Sequence, residues 1–317
     1  MFTTILVPLD GSALAERALP HAMALARSAR AKLILFHASP TRGLPDDLGP
    51  NRVALSDLVD LADELRASGI EVECPVSRVY HDDVPHGICE AAEVMGADLI
   101  VMSTHGYGGL GRWLHGSVAD AVLRQASVPV MLVPATCEQG WSDDHAARIV
   151  VPLDGSRFAE EALGPAHPLA EALVAELVLV RAVKPVNYSD RDGGPYLERR
   201  VQAEVCEARQ YLEGLAAKLR ASGRGVEVHV ELSPPALTIA NVARDRGAGL
   251  IAMATHGRGG LARLALGSVA AATLQLTSVP LLLVRPAAVR RHLPDTARVP
   301  CRPAAKEKPA GPRVTVG

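Results

Sequence analysis

The chain has 317 residues, 48% hydrophobic and 21% charged, a balance that suits about two globular domains with sizeable cores. Aromatics are only 3%, so those cores must be aliphatic, and a net charge of -2 gives no general attraction to nucleic acid or anionic lipid. No apolar run reaches the ~18 residues a bilayer span needs, and the cysteines (Cys74, Cys89, Cys137, Cys206, Cys301) are scattered without metal-ligand spacing, so reduced thiols and a cytoplasmic location are expected.

In chain order, "MFTTILVPLDGS" has no basic n-region or cleavage motif and reads as a strand near 3–9 that begins at once. Ser12 is placed to cap an alanine-rich helix running to about residue 29, which Pro20 is predicted to kink; Glu16 comes one position late for a capping box. "KLILFH" (32–37) is a buried strand, and the amphipathic segment 53–69 is a helix stopped by Gly69. "IEVECPVSRV" (70–79) reads as a strand and 85–95 as a helix. "ADLIVMS" (97–103) is a strand that runs into "STHGYGGLGRWLHGS" (103–117). A helix over 117–126 and an apolar strand over 128–133 close the unit.

The unit then repeats. "ILVPLDGS" (5–12) returns as "IVVPLDGS" (149–156), an offset of 144. The glycine loop returns as "ATHGRGGLARLALGS" (254–268), and "SVPVMLV" (127–133) as "SVPLLLV" (278–284), both at an offset of 151. The extra residues of the second copy are assigned to the polar loop "NYSDRDGGPY" (187–196). The organisation read from this is a domain over 1–136, a linker over 137–147, a domain over 148–286 and a basic, proline-rich, disordered tail over 287–317. Five strands alternating with helices in each copy predict an α/β fold, a doubly wound parallel sheet with right-handed crossovers. "PLDGS" after the first strand and "STHGYGG" after the fourth lie at strand carboxyl ends, where such sheets bind ligands.

Gly106 and, after nine intervening residues, Gly116 are followed by Ser117 at the start of a helix; Gly257, Gly267 and Ser268 repeat the spacing. Glycine lets backbone approach a ligand without a Cβ in the way, and the uncapped N–H groups of a helix start favour an anion. With an aspartate after the first strand of each copy, this pattern resembles the nucleotide motif of the universal stress protein family, Gly-x2-Gly-x9-Gly-(Ser/Thr), in its tandem two-domain form. The likeness covers nearly all of 1–286. It departs at the first glycine, which is Ser103 in one copy and Ala254 in the other.

The resemblance implies a Rossmann-like fold and an ATP site in each copy, with magnesium carried on the phosphates. The first site comprises Pro8, Asp10, Ala38, Met102, Ser103, His105, Gly106, Gly116, Ser117 and Val118. The second comprises Pro152, Asp154, Ala182, Met253, Ala254, His256, Gly257, Gly267, Ser268 and Val269. The aspartate is set near the adenosine, where it can accept from ribose hydroxyls. Ala38 and Ala182 meet the adenine edge, Met102 and Met253 border the pocket, and the glycines with Ser-Val form the phosphate cradle. Members of the family also pair their last strands, so 128–133 is expected to pair antiparallel with 279–284 as a pseudo-twofold dimer within one chain. The prolines at those strand starts suit an edge that needs a partner. Further homodimerisation is left open.

"GYGGLG" (106–111) also satisfies the dinucleotide fingerprint, but the helix signal waits until Ser117 and no acid ends the next strand. No phosphate-loop lysine motif occurs. His105 and His256 lack a carboxylate at a telling spacing for acid–base work. Arg112 and Arg263 hold matching loop positions, open equally to a phosphate contact and to a solvated face. Tyr107 and Arg258 differ between copies, and an inward Arg258 would make the second site the more positive. The expected function is an ATP-binding regulator in the stress response with at most slow hydrolysis. An ATP-consuming transferase or hydrolase finds no lysine, metal triad or nucleophile in the loops, and two near-identical loops disfavour a scaffold with vestigial sites. Adenine nucleotide and an unidentified protein are the expected partners; nucleic acid and membrane are not.

Overall fold

The computed structural model describes residues 1–37, 49–75, 83–104, 117–137, 141, 148–185, 194–221, 223, 225–257 and 266–286, with backbone alone over 49–55 and 194–197. Copy one contains β1 (Thr4–Leu9), α1 (Ala13–Glu16), α2 (Leu19–Ala29), β2 (Lys32–His37), α3 (Gly49–Ala67), β3 (Val72–Glu73), α4 (Val84–Val94), β4 (Leu99–Ser103), α5 (Ser117–Gln125) and β5 (Val130–Val133). Copy two contains β6 (Arg148–Pro152), α6 (Arg157–Glu160), α7 (Leu163–Ala172), β7 (Glu176–Val183), α8 (Gly194–Arg220), β8 (Val226–Leu232), α9 (Pro235–Asp245), β9 (Leu250–Ala254), α10 (Ser268–Leu276) and β10 (Leu281–Val284).

All the strands join one ten-stranded sheet in the order β3-β2-β1-β4-β5-β10-β9-β6-β7-β8. Each half is parallel throughout, and its order reverses between the first and fourth strands, β1/β4 and β6/β9. The halves meet antiparallel, with Leu281 opposite Leu132, Leu282 opposite Met131 and Leu283 opposite Val130. The expected pairing of the two last strands is therefore present. Because it is antiparallel, the carboxyl ends of the two sets of strands open on opposite rims of the sheet.

Parallel strands covered on both faces must be apolar at nearly every position, and β1, β4, β5, β9 and β10 are buried along almost their whole length. One face packs against α1, α2, α3, α6, α7 and α8, and the other against α4, α5, α9 and α10. Alanine brings the helices close. Ala18, Ala22 and Ala26 recur every fourth residue at the start of and along α2, as do Ala162, Ala166 and Ala170 around α7, all of them buried against the sheet.

Three local expectations are corrected. The helix read over 12–29 is two helices, broken at Arg17–Ala18, and Pro20 sits in the first turn of α2, where a missing N–H costs nothing. The break recurs between α6 and α7, where Gly164 stands at the place of Pro20, so packing of the alanine stripe sets it rather than proline. The strand read over 70–79 is Val72–Glu73, with 76–79 outside the described residues. The extra length of copy two is partly helical: α8 has 27 residues against 19 for α3, and it starts at Gly194, inside the stretch read as a loop.

The linker fastens the halves together. Trp141 Nε1 donates to the Gly249 carbonyl just ahead of β9 at 2.7 Å, and its ring stands edge-on to His21 of α2 with centroids 5.1 Å apart. His21 is buried, with Nδ1 3.4 Å from the Arg17 carbonyl oxygen and Nε2 3.7 Å from Cys137 Sγ. Arg17 also donates to the Ala135 carbonyl, and Arg285 to that of Arg124.

Met131 is fully buried at the seam. Met131→Ala is expected to cost about 2–5 kcal/mol. Met131→Asp is expected to cost more and to expose apolar surface as the halves part, read by denaturant unfolding with a fluorescent apolar dye. Burial lowers the pKa of His21, against a smaller raising effect of the Arg17 carbonyl. The folded protein thus holds His21 neutral while the unfolded chain takes a proton below about 6.5. Stability should fall as the pH drops below that value, by up to about 1.4 kcal/mol per pH unit for this one proton. His21→Gln should flatten the slope in unfolding titrations between neutral and mildly acidic pH.

Candidate functional site

β6, β7 and β9 are parallel and adjacent, so their carboxyl ends share one rim, at the point where strand order reverses. A cleft of ≈ 910 Å³ opens there. All ten residues expected for the second site line it: Pro152, Asp154, Ala182, Met253, Ala254, His256, Gly257, Gly267, Ser268 and Val269. The volume falls in the range of about 300–1,000 Å³ typical of small-molecule sites.

The turn after β6 aims the aspartate. Asp154 Oδ1 accepts from the Ser156 backbone N–H at 2.8 Å, while Ser156 Oγ caps α6 by accepting from Ala159 N–H at 3.2 Å. Copy one repeats this device: Asp10 Oδ1 accepts from Ser12 N–H at 3.0 Å and from Ser12 Oγ at 2.6 Å, and Ser12 Oγ accepts from Ala15 N–H at 3.1 Å. The two signature loops meet at Gly257, whose missing Cβ would run into the Asp154 carboxylate.

Gly267 is needed for close approach to the protein's own backbone. Its backbone is extended, φ -65 and ψ 154, and occupies the cap position of α10 with no side-chain cap. Its N–H donates to the Thr255 carbonyl oxygen at 2.7 Å, and a Cβ would stand 2.7 Å from that same oxygen. The close approach holds the start of α10 against the end of β9. With no capping side chain at Gly267, the first-turn N–H groups of Ser268 and Val269 find no capping partner among the described residues, the arrangement that favours an anion. His256 is buried beside them, its Nδ1 3.0 Å from Thr255 Oγ1.

In copy one, Pro8, Asp10, Met102 and Ser103 stand at the corresponding strand ends, and Ser117 and Val118 open α5. Ala38, His105, Gly106 and Gly116 lie outside the described residues, as do Tyr107, Arg112, Arg258 and Arg263. Among the described cysteines, none is disulfide-bonded, and burial pushes the Cys89 thiol up to about 12.

The cleft also takes side chains that motif reading does not reach. Arg181 and Lys184 come from β7 and its exit, and Glu204 and Glu207 from α8. The signal for Arg181 is present in the sequence: a cation ends the apolar run "LVLV" at the register where copy one has His37.

A family model described as the universal stress protein family matches residues 1–134 and again 146–285. The chain belongs to the universal stress protein family. A universal stress protein of Mycobacterium bovis is 29% identical over 235 residues, covering 74% of this chain and 76% of that protein. One of Thermus aquaticus is 35% identical over 142 residues, 42% of this chain and 99% of its own length, so it matches a single copy. Among solved structures, a putative universal stress protein of Pseudomonas aeruginosa superposes with a TM-score of 0.67 at 21% identity, covering 92% of this chain and 96% of that one. A universal stress protein of Archaeoglobus fulgidus gives 0.62 at 21% identity, covering 89% and 98%. At that identity these superpositions carry the fold: two family domains joined in one mostly parallel sheet.

Gly267→Ala should push the Thr255 carbonyl away and loosen the start of α10. A loss of about 1–3 kcal/mol is expected, the cost of forcing an extra methyl into a packed place. Thermal unfolding beside the parent chain measures it.

Proposed function

We propose that the protein is an ATP-binding regulator of the universal stress type, holding one Mg-ATP in each copy with at most slow hydrolysis. The observation that carries this reading is the copy-two cleft. There an aspartate, an apolar wall of Pro152, Ile239 and Met253, and an uncapped helix start converge on one space. The parts suit the three parts of a nucleotide. Met253 and Ile239 offer surface to a base. Asp154 offers acceptor oxygens to ribose hydroxyls and would repel phosphate, which places the phosphates at the other wall. That wall is Gly267, Ser268 and Val269, with backbone N–H groups and the positive end of the α10 dipole.

Magnesium, in this reading, arrives on the phosphates and spreads their charge. The residues of this chain bind and orient: the Ser156–Asp154 turn fixes the carboxylate, and the Gly267–Thr255 contact fixes the cradle. His256 is engaged with Thr255 and supports the loop rather than serving as a general base. The copy-one signature, with its Asp10 turn and the α5 start at Ser117, motivates the second equivalent.

Calorimetry with Mg-ATP should approach two equivalents per chain, and denaturing the purified protein should release adenine nucleotide identifiable by mass. Folded protein that binds none overturns the reading. Gly116→Ala and Gly267→Ala should each lower the stoichiometry by one. Steady-state ATP turnover at enzymatic rates would instead favour a transferase or hydrolase.

A further inference from the structure

We infer that Arg181 is a base-stacking residue special to the copy-two cleft, and that it makes the two nucleotide sites inequivalent; the inference rests on the ATP reading above. β7 lies beside β6 with Val180 opposite Pro152, so Arg181 follows at the carboxyl rim next to the turn that carries Asp154. It is half-buried and lines the cleft.

Its guanidinium carbon lies 5.1 Å from the centroid of the Tyr211 ring of α8. Tyr211 is held in turn, its hydroxyl donating to Glu160 Oε1 of α6 at 2.9 Å. Burial first, and then that carboxylate, push the Tyr211 hydroxyl well above its ordinary pKa, so it stays a donor and the ring stays put. Tyr211 does not line the cleft, whereas Arg181 does. Arg181 thus lines the cleft while its guanidinium stays near an aromatic ring that is not part of the cleft wall. A guanidinium stacks on π-systems with either face and is weakly hydrated, so one at this wall suits a purine ring. Ala182, the adjoining residue, is the position read as meeting the adenine edge.

Copy one lacks both parts. His37 pairs with Leu9 at the register of Arg181. Aligning "RASG" at 66–69 with "RASG" at 220–223 puts Asp57, an exposed carboxylate, where Tyr211 stands. Burial lowers the pKa of His37, with Asp10 and the Leu9 backbone acting the other way. At the corresponding positions copy one thus has an imidazole and an exposed carboxylate, where copy two has a guanidinium resting near a tyrosine ring.

The test is calorimetry on the full chain with Mg-ATP and, separately, adenosine. The parent should show two classes of site at least tenfold apart. Arg181→Leu should weaken the tighter class at least tenfold for both ligands and leave the other class unchanged. Arg181→Lys should do the same, because an ammonium does not stack flat. Tyr211→Phe should keep the tight class, while Tyr211→Leu should lose it, and Tyr211→Leu serves in place of Arg181→Leu if that variant fails to fold. A single class in the parent, no change in Arg181→Leu, or full affinity in Arg181→Lys overturns the inference while leaving ATP binding intact. A parent that binds neither ligand removes the ATP reading itself, and this inference with it.

Discussion

Three facing pairs, Val130–Leu283, Met131–Leu282 and Leu132–Leu281, convert two small parallel sheets into one. Every side chain in them is buried. The counterpart of Met131 at the repeat offset is Leu282, and these two residues face each other, so the local twofold passes between them. The prolines that precede both strands fit the arrangement. Pro129 and Pro280 lack an N–H, yet their carbonyls still accept from Ile100 and Ile251 of the neighbouring parallel strands at 3.1 and 3.0 Å. Without this seam each half would expose an apolar strand edge, the feature that invites aggregation. With it, hydrophobic strands of only four residues become the middle of a continuous core.

The seam also decides where chemistry can sit. Antiparallel joining turns one set of carboxyl ends up and the other down, so the two candidate sites lie on opposite rims and cannot merge into one shared pocket. Each site must be completed by its own half. Within copy two the completion depends on two places where backbone comes too close for a side chain. Gly257 lies against the Asp154 carboxylate, and Gly267 against the Thr255 carbonyl. The first joins the loop after β9 to the turn after β6. The second fixes the start of α10 at the end of β9. A cleft between three strands and a helix is the geometric result.

Much of this was legible in the residues. The duplicated "VPLDGS" names the strand and the capping serine, and the structure gives the serine its expected partner; the turn in which the aspartate accepts from the serine N–H appears only in the structure. The duplicated glycine spacing marks the α10 start at Ser268 and the α5 start at Ser117 to the residue. What escaped reading depended on contacts across the fold. The interruption at Arg17–Ala18 follows from seating three alanines on the sheet, and the proline nearby distracts from that cause. Spacing marked Gly267 as a place of close approach to a ligand, but that its nearest neighbour is the Thr255 carbonyl depends on the fold. The pairing of Arg181 with Tyr211 joins a strand end to a helix 30 residues on, and no local pattern connects them.

That last contact bears on what duplication permits. A dimer of identical single-domain chains must carry any substitution twice, once in each site. A tandem chain is free of this constraint, because each half can change while the seam keeps its symmetry. The seam here is nearly self-complementary, aliphatic against aliphatic in every pair. The rims are not alike. Where the strand next to the aspartate turn ends, one half has histidine and the other has arginine resting on tyrosine. The substituted positions lie outside the duplicated motifs and inside or just behind the cleft wall, so they leave the turn, the cap and the cradle untouched. Divergence confined to such positions alters what a pocket prefers without altering how it is built, and a covalent pseudo-dimer is the architecture in which that difference can persist within one molecule.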